Sequence, residues 1–127
     1  NIEHYTTRDK LPAAQNIWIR MTGPIPSDRP TQSAVLGYLS DMTLLDTSTF
    51  AHGRALFDAD IQGASLDHAM WFHRPHALDD WLLYSQDSPS SSGSRGFSRG
   101  LLFARDGTLV ASTVQEGLIR LRRTPTK

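Results

Sequence analysis

The sequence predicts an α+β domain: one long helix packed on a curved antiparallel β-sheet. Three observations predict it. Only Thr31 to about Leu45 carries convincing helical apolar spacing. Nearly everything after Gly63 reads as strand. Asp106-Gly107, the strongest hairpin signal in the chain, turns one strand back on the next. A single helix then covers one face of the sheet. The opposite face needs cover from a second domain or subunit.

Asn1 to Pro12 is charged and has no apolar period, so residues 1–14 read as a linker or tail. The domain is expected over 15–123, with a tail at 124–127. Asn16 to Met21 is a short β-prone run, ended by Gly23-Pro24-Ile25-Pro26 and Pro30. Asp28 to Thr31 offers polar caps for the helix that follows. On that helix Val35, Tyr38, Leu39 and Met42 form the expected apolar face, with Asp46 in line. Asp46 to Gly53 reads as a polar loop, and Arg54 to Gly63 is ambiguous between states. Strands are expected at Ala64 to His73, Trp81 to Gln86, Phe97 to Arg105 and Thr108 to Arg122. The Ser/Gly stretch Ser88 to Gly96 reads as a flexible loop between two of them.

Composition narrows the function classes. The 127 residues suit one domain. A net charge of +0 gives no overall field to attract nucleic acid or an anionic membrane. The absence of cysteine excludes disulfides, thiolate metal sites and a Cys nucleophile. No apolar run approaches the roughly 18 residues of a membrane span. The chain starts without Met and without a secretory apolar segment, which fits processing or excision from a longer polypeptide equally.

Asp41 falls beside Ala34, Tyr38 and Leu45, on the flank of the helical stripe. A partly desolvated carboxylate there suits a general base; an exposed boundary aspartate is the plainer alternative. Gln115 shares a strand face with Leu109, Ala111, Thr113 and Ile119, so burial demands a partner for it: a backbone group, a water or a substrate carbonyl. Ser65 is expected on one face with Asp67, Ala69, Trp71 and His73, and Gly63-Ala64-Ser65-Leu66-Asp67 lacks the nucleophile elbow of serine hydrolases. Adjacent Asp67 and His68 face opposite ways on a strand. His68, His73 and His76 lie on mixed faces around Pro75, a poor metal spacing, so no metal is expected. Arg95 and Arg99 sit among glycines with no strand–loop–helix phosphate signature. They, and Arg120, Arg122 and Arg123, are candidates for a substrate phosphate or plain surface charges.

Leu66-Asp67-His68-Ala69-Met70-Trp71-Phe72-His73-Arg74-Pro75 resembles the hallmark of the acyl-CoA thioesterase II (TesB-type) family. Gly37-Tyr38-Leu39-Ser40-Asp41, Trp81-Leu82-Leu83-Tyr84, Ser94-Arg95-Gly96-Phe97 and Gln115-Glu116-Gly117-Leu118-Ile119-Arg120 resemble further family blocks, in family order. The resemblance covers nearly everything from Trp18 to Arg120. It implies a hot-dog fold, and a chain that is the C-terminal half of a double hot dog. The implied activity is hydrolysis of acyl-CoA to free acid and CoA, without a cofactor. The implied catalytic set is Asp41, Ser65 and Gln115, with Ser65 where relatives often carry Thr. Asp41 is then the general base on a water that Ser65 and Gln115 hold. The implied partners are an acyl-CoA substrate and a second hot-dog unit, either an N-terminal half or a homodimer mate, in a higher homo-oligomer. An isolated half would have an incomplete acyl tunnel. Two other readings stay open: a hot-dog hydratase or dehydratase, and a non-catalytic acyl-CoA-binding or oligomerisation half. The C-terminus Thr124-Pro125-Thr126-Lys127 is not a peroxisomal signal, so a bacterial cytoplasmic setting is preferred.

Overall fold

The computed structural model describes residues 9–122. Five strands form one sheet: β1 (Ala14–Ile19), β2 (Ile61–Phe72), β3 (Leu82–Ser92), β4 (Arg95–Ala104) and β5 (Leu109–Leu121). Their order is β1-β3-β4-β5-β2, and every neighbouring pair is antiparallel. One helix, α1 (Arg29–Asp41), lies between β1 and β2 in sequence, followed by 3₁₀ turns at Leu45–Ser48 and Phe50–His52. The expected helix-on-sheet architecture is thus present. Residues 1–8 and Arg123 to Lys127, which include most of the expected linker and the C-terminal tail, lie outside the described residues.

The helix is shorter than its spacing predicts. It starts where Asp28 accepts a hydrogen bond from the Thr31 N–H at 3.0 Å, with Pro30 in the first turn. It ends at Asp41, not near Leu45. Its buried face is also different. Leu36 and Ser40 are buried, and Leu44 beyond the helix continues the same line, whereas Tyr38 is 72 % exposed and Met42 61 % exposed. Apolar spacing ranked Tyr and Met above Ser, but Ser40 is small and fully satisfied. Its hydroxyl donates to Gly37 O at 2.8 Å, and its carbonyl accepts from Tyr84 Oη at 2.6 Å. A satisfied serine costs little to bury and lets the helix approach the sheet.

Leu36, Leu44, Leu78, Leu82, Tyr84, Leu102, Val110 and Ala111 build the core between helix and sheet. Positions Gly96, Ser98, Gly100, Leu102 and Ala104 on β4, and Ala111, Thr113, Gln115 and Gly117 on β5, mark this buried inner face. Three inner glycines leave room for what lies above them. An added Cβ would come within 2.6 Å of Ser48 Cβ at Gly96 and within 2.5 Å of Leu45 Cδ2 at Gly117. At Gly100 it would reach 3.0 Å from Tyr84 Cζ. The segment after α1 can therefore settle directly on the sheet.

The Ser/Gly stretch is not a flexible loop. β3 runs through it to Ser92, and Gly93-Ser94 forms a two-residue turn with φ of 60° at both positions. The register slips between Asp87 and Ser90, where Pro89 has no N–H to pair. Ser88 anchors the irregularity by donating its N–H to Ala13 O at 2.8 Å and its hydroxyl to Phe97 O at 2.7 Å. Serine is a weak strand former, but long antiparallel pairing overrides that preference.

β2 is the edge strand beside β5 and is exposed along most of its length. Among the described residues no strand pairs with its far edge. On the outer face Trp18, Leu66, Trp71 and Leu101 are exposed large apolar residues.

Candidate active site

The most consequential irregularity is a bulge in β2. Ser65 pairs with Gly117, but Asp67 pairs with Glu116, so Leu66 has no partner across the ladder. One extra residue reverses the alternation for everything beyond it. Ser65 therefore shares the inner face with His68, Met70 and Phe72. Asp67, Ala69 and Trp71 point outward. The expected grouping of Ser65 with Asp67, Ala69, Trp71 and His73 is corrected by this bulge. Asp67 secures it: its Oδ1 accepts the Glu116 N–H at 2.9 Å.

Across the ladder from His68 stands Gln115, which is 1 % exposed. Its Nε2 donates to Asp41 Oδ1 at 2.7 Å and to Ser65 Oγ at 2.7 Å. Three residues remote in sequence thus meet at one amide group. The geometry requires the amide nitrogen on that side, because the carboxylate can only accept. Gln115 Oε1 is buried without a partner.

Asp41 occupies the last residue of α1, an electrostatically poor place for an anion because the helix dipole is negative there. The Gln115 donor offsets part of that cost. The Asp41 side chain is 57 % exposed, so the desolvated environment expected from its position is not present within this chain. A polar cluster fixes the segment beyond Asp41. Gln86 Nε2 donates to Thr43 Oγ1 at 2.7 Å, while Gln86 Oε1 accepts from Thr47 Oγ1 and from Gln15 Nε2, each at 2.8 Å. Alternation alone does not reveal this cluster, because its members come from three separate elements.

His68 also belongs here, although the sequence reading gave it neither an acid–base partner nor a metal. Its Nε2 lies 2.9 Å from Ser40 Oγ and 3.2 Å from Thr113 Oγ1, and its Nδ1 lies 3.8 Å from Asp41 Oδ1. A bulge signal in the sequence would have found it; none is visible there. His73 turns outward to Ser112 Oγ at 2.8 Å, away from His68. Among the described residues no three His, Asp or Glu side chains converge as metal ligands.

Arg95 and Arg99 are not brought to this cluster. Both stand on the outer face of β4, Arg99 in a two-bond pair with Asp87 and Arg95 3.8 Å from Glu116. A cleft of about 1150 Å³ lies at the far end of β2 and β5, lined by His52, Arg54, Arg95, Arg120 and Arg122 among others. Arg54 is held there by Asp58 and Asp60. Arg123 lies outside the described residues.

Comparison with known proteins agrees with this arrangement of elements. The sequence model of the family described as acyl-CoA thioesterase matches residues 4–118. Acyl-CoA thioesterase 2 of Haemophilus influenzae is 40 % identical over 111 residues, 87 % of this chain and 39 % of that protein. The crystal structure of the acyl-CoA thioesterase II TesB2 from Mycobacterium marinum superposes with a TM-score of 0.79 at 44 % identity, covering 85 % of this chain and 41 % of that one. A hot-dog-fold protein of Alicyclobacillus acidocaldarius, 18 % identical, matches with a TM-score of 0.67 over 91 % of this chain and 42 % of its own, and shows the shared fold alone. The chain spans about two fifths of the length of these relatives. On this sequence match, and on a helix laid over a five-stranded antiparallel sheet, the chain belongs to the acyl-CoA thioesterase family and has its hot-dog fold.

Proposed function

We propose that this chain is one half of a double hot-dog enzyme that hydrolyses acyl-CoA thioesters to free acid and CoA. The observation that carries the reading is the Gln115 amide bonded to both Asp41 and Ser65 at 2.7 Å. Asp41 is the general base: it takes a proton from a water. The resulting hydroxide attacks the thioester carbonyl, the tetrahedral intermediate collapses, and the C–S bond breaks to release CoA. Gln115 holds the carboxylate in place, and Ser65 orients the water. The half-open cluster, the unpaired β2 edge and the exposed Trp71 and Leu66 support a second hot-dog unit that closes the site and its acyl tunnel. Arg95 and Arg99 enter this reading only as contacts to a CoA phosphate held by a neighbouring unit, since they stand on the opposite face of the sheet.

Asp41→Asn in the full-length enzyme tests the assignment. Loss of a general base lowers kcat by roughly 10²–10⁴-fold. The melting temperature should be unchanged, because the carboxyl is largely exposed. Near-normal thiol release from that variant removes Asp41 as the base. An acylated Ser65 trapped by mass spectrometry replaces water attack with a covalent route.

A further inference from the structure

The hydroxyls around His68 determine which of its nitrogens carries hydrogen. Ser40 Oγ spends its one hydrogen on Gly37 O at 2.8 Å. Thr113 Oγ1 spends its one hydrogen on Ala69 O at 3.0 Å. Neither has a hydrogen left for His68 Nε2, 2.9 Å and 3.2 Å away. Both contacts are satisfied only if Nε2 is the donor, shared between the two oxygens. A neutral imidazole has a single N–H, so its Nδ1 is then bare. That nitrogen lies 3.8 Å from Asp41 Oδ1. Two proton acceptors thus stand 3.8 Å apart, and the Asp41 side chain is 57 % exposed.

We propose that His68 is a positioning residue that holds the proton Asp41 withdraws from the attacking water; this rests on the reading of Asp41 as the base. The water O–H bond breaks, and its proton passes through the Asp41 carboxylate to His68 Nδ1. An imidazolium then stands beside a carboxylate. The hydroxide forms the new C–O bond, and the carbonyl electron pair moves to oxygen. Collapse breaks the C–S bond, with its electron pair on sulfur. The proton returns through Asp41 to the thiolate, so thioester and water become acid and thiol. A weak carboxylate base is poor at keeping a proton, and an adjacent imidazole is better suited to hold it. The groups facing His68 are Ser40 and Asp41 from α1, Thr113 and Gln115 from β5, and Ser65 and Met70 from its own strand. Behind Ser40 stands Tyr84 of β3, whose hydroxyl is pushed up by burial first and by Asp41 second, so it stays protonated. Asp41 is the charged member of this set.

The test compares wild type, Asp41→Asn and His68→Gln in the full-length enzyme, by thiol release across pH. Glutamine keeps a donor for Ser40 and Thr113 but holds no proton. His68→Gln is expected to lower kcat/KM roughly 10- to 100-fold and to move the acid limb of its pH profile to lower pH. A fall in rate with the limb in place assigns His68 a purely structural role and overturns the proposal, as does an unchanged rate. Nitrogen-15 spectra of labelled wild-type histidines provide a reading independent of any variant's folding. The neutral ring is expected as the Nε2–H tautomer, and an Nδ1–H tautomer overturns the proposal. Full turnover by Asp41→Asn removes Asp41 as the base, and with it the reading on which the role of His68 rests. Loss of turnover there, with an unmoved limb in His68→Gln, sinks only the role of His68.

Discussion

Gln115→Met separates the catalytic contribution proposed for Gln115 from its packing. Methionine has nearly the same length and keeps the buried volume, but it donates nothing. The change removes two hydrogen bonds of 2.7 Å, one to a carboxylate and one to a hydroxyl. Such bonds contribute about 1.5–3 and about 0.5–1.5 kcal/mol respectively. If both are used to hold base and water in the transition state, the loss is about 2–4.5 kcal/mol, or roughly 30- to 2000-fold in kcat. Stability should move far less. Asp41 and Ser65 are exposed enough to rebind water, and Met also removes the buried, unpartnered Oε1. Those effects oppose each other, so unfolding free energy should change by less than about 1 kcal/mol. Thiol-release kinetics on the full-length enzyme measure the first quantity and a thermal melt measures the second. A kcat within about threefold of wild type, or a melting loss large enough to account for the lost activity, would refute the reasoning.

Two further outcomes concern stability. Burial pushes the Asp46 carboxyl from 3.8 up to about 6, and its Oδ1 is buried without a partner. The native state then holds a proton that the unfolded chain has lost, so stability falls as pH rises from 3.8 to about 6 and stays reduced above that window. Asp46→Asn should therefore raise the melting temperature at about pH 7.5 and change it little near pH 4, and equal shifts at both would contradict the assignment. Tyr84→Phe leaves the buried Ser40 carbonyl without its 2.6 Å donor, at a cost of about 1–3 kcal/mol. A melting temperature lowered by roughly 5–10 °C is expected, and a change under about 1 °C would show that another group replaces the donor.

Parts of the fold were legible because each rests on local chemistry. Asp28 before Pro30 announces a helix start, and Asp106-Gly107 announces a hairpin, whatever surrounds them. The helix face was less legible. Counting apolar residues favours Tyr38 and Met42, but which side is buried depends on how closely helix and sheet approach, and Ser40 permits that approach. The Ser88 to Gly96 stretch misled for a related reason: strand propensity there is weak, and pairing with β4 decides the outcome.

The amino-acid sequence by itself determined the order of elements, the family, and the three residue types that meet at the site. Composition, turn chemistry and motif blocks are local properties, readable without knowing what touches what. Only the tertiary structure decided the side of the sheet on which the residues after Ser65 stand. Leu66 is unpaired because the β2–β5 register slips by one residue there, and a slip in pairing leaves no mark in the alternation of one strand. That slip turns Asp67 out to a backbone N–H and turns His68 in toward Asp41. The Asp41 and Gln115 contact is decided in the same way, by a helix end and a strand seventy-four residues apart brought within 2.7 Å.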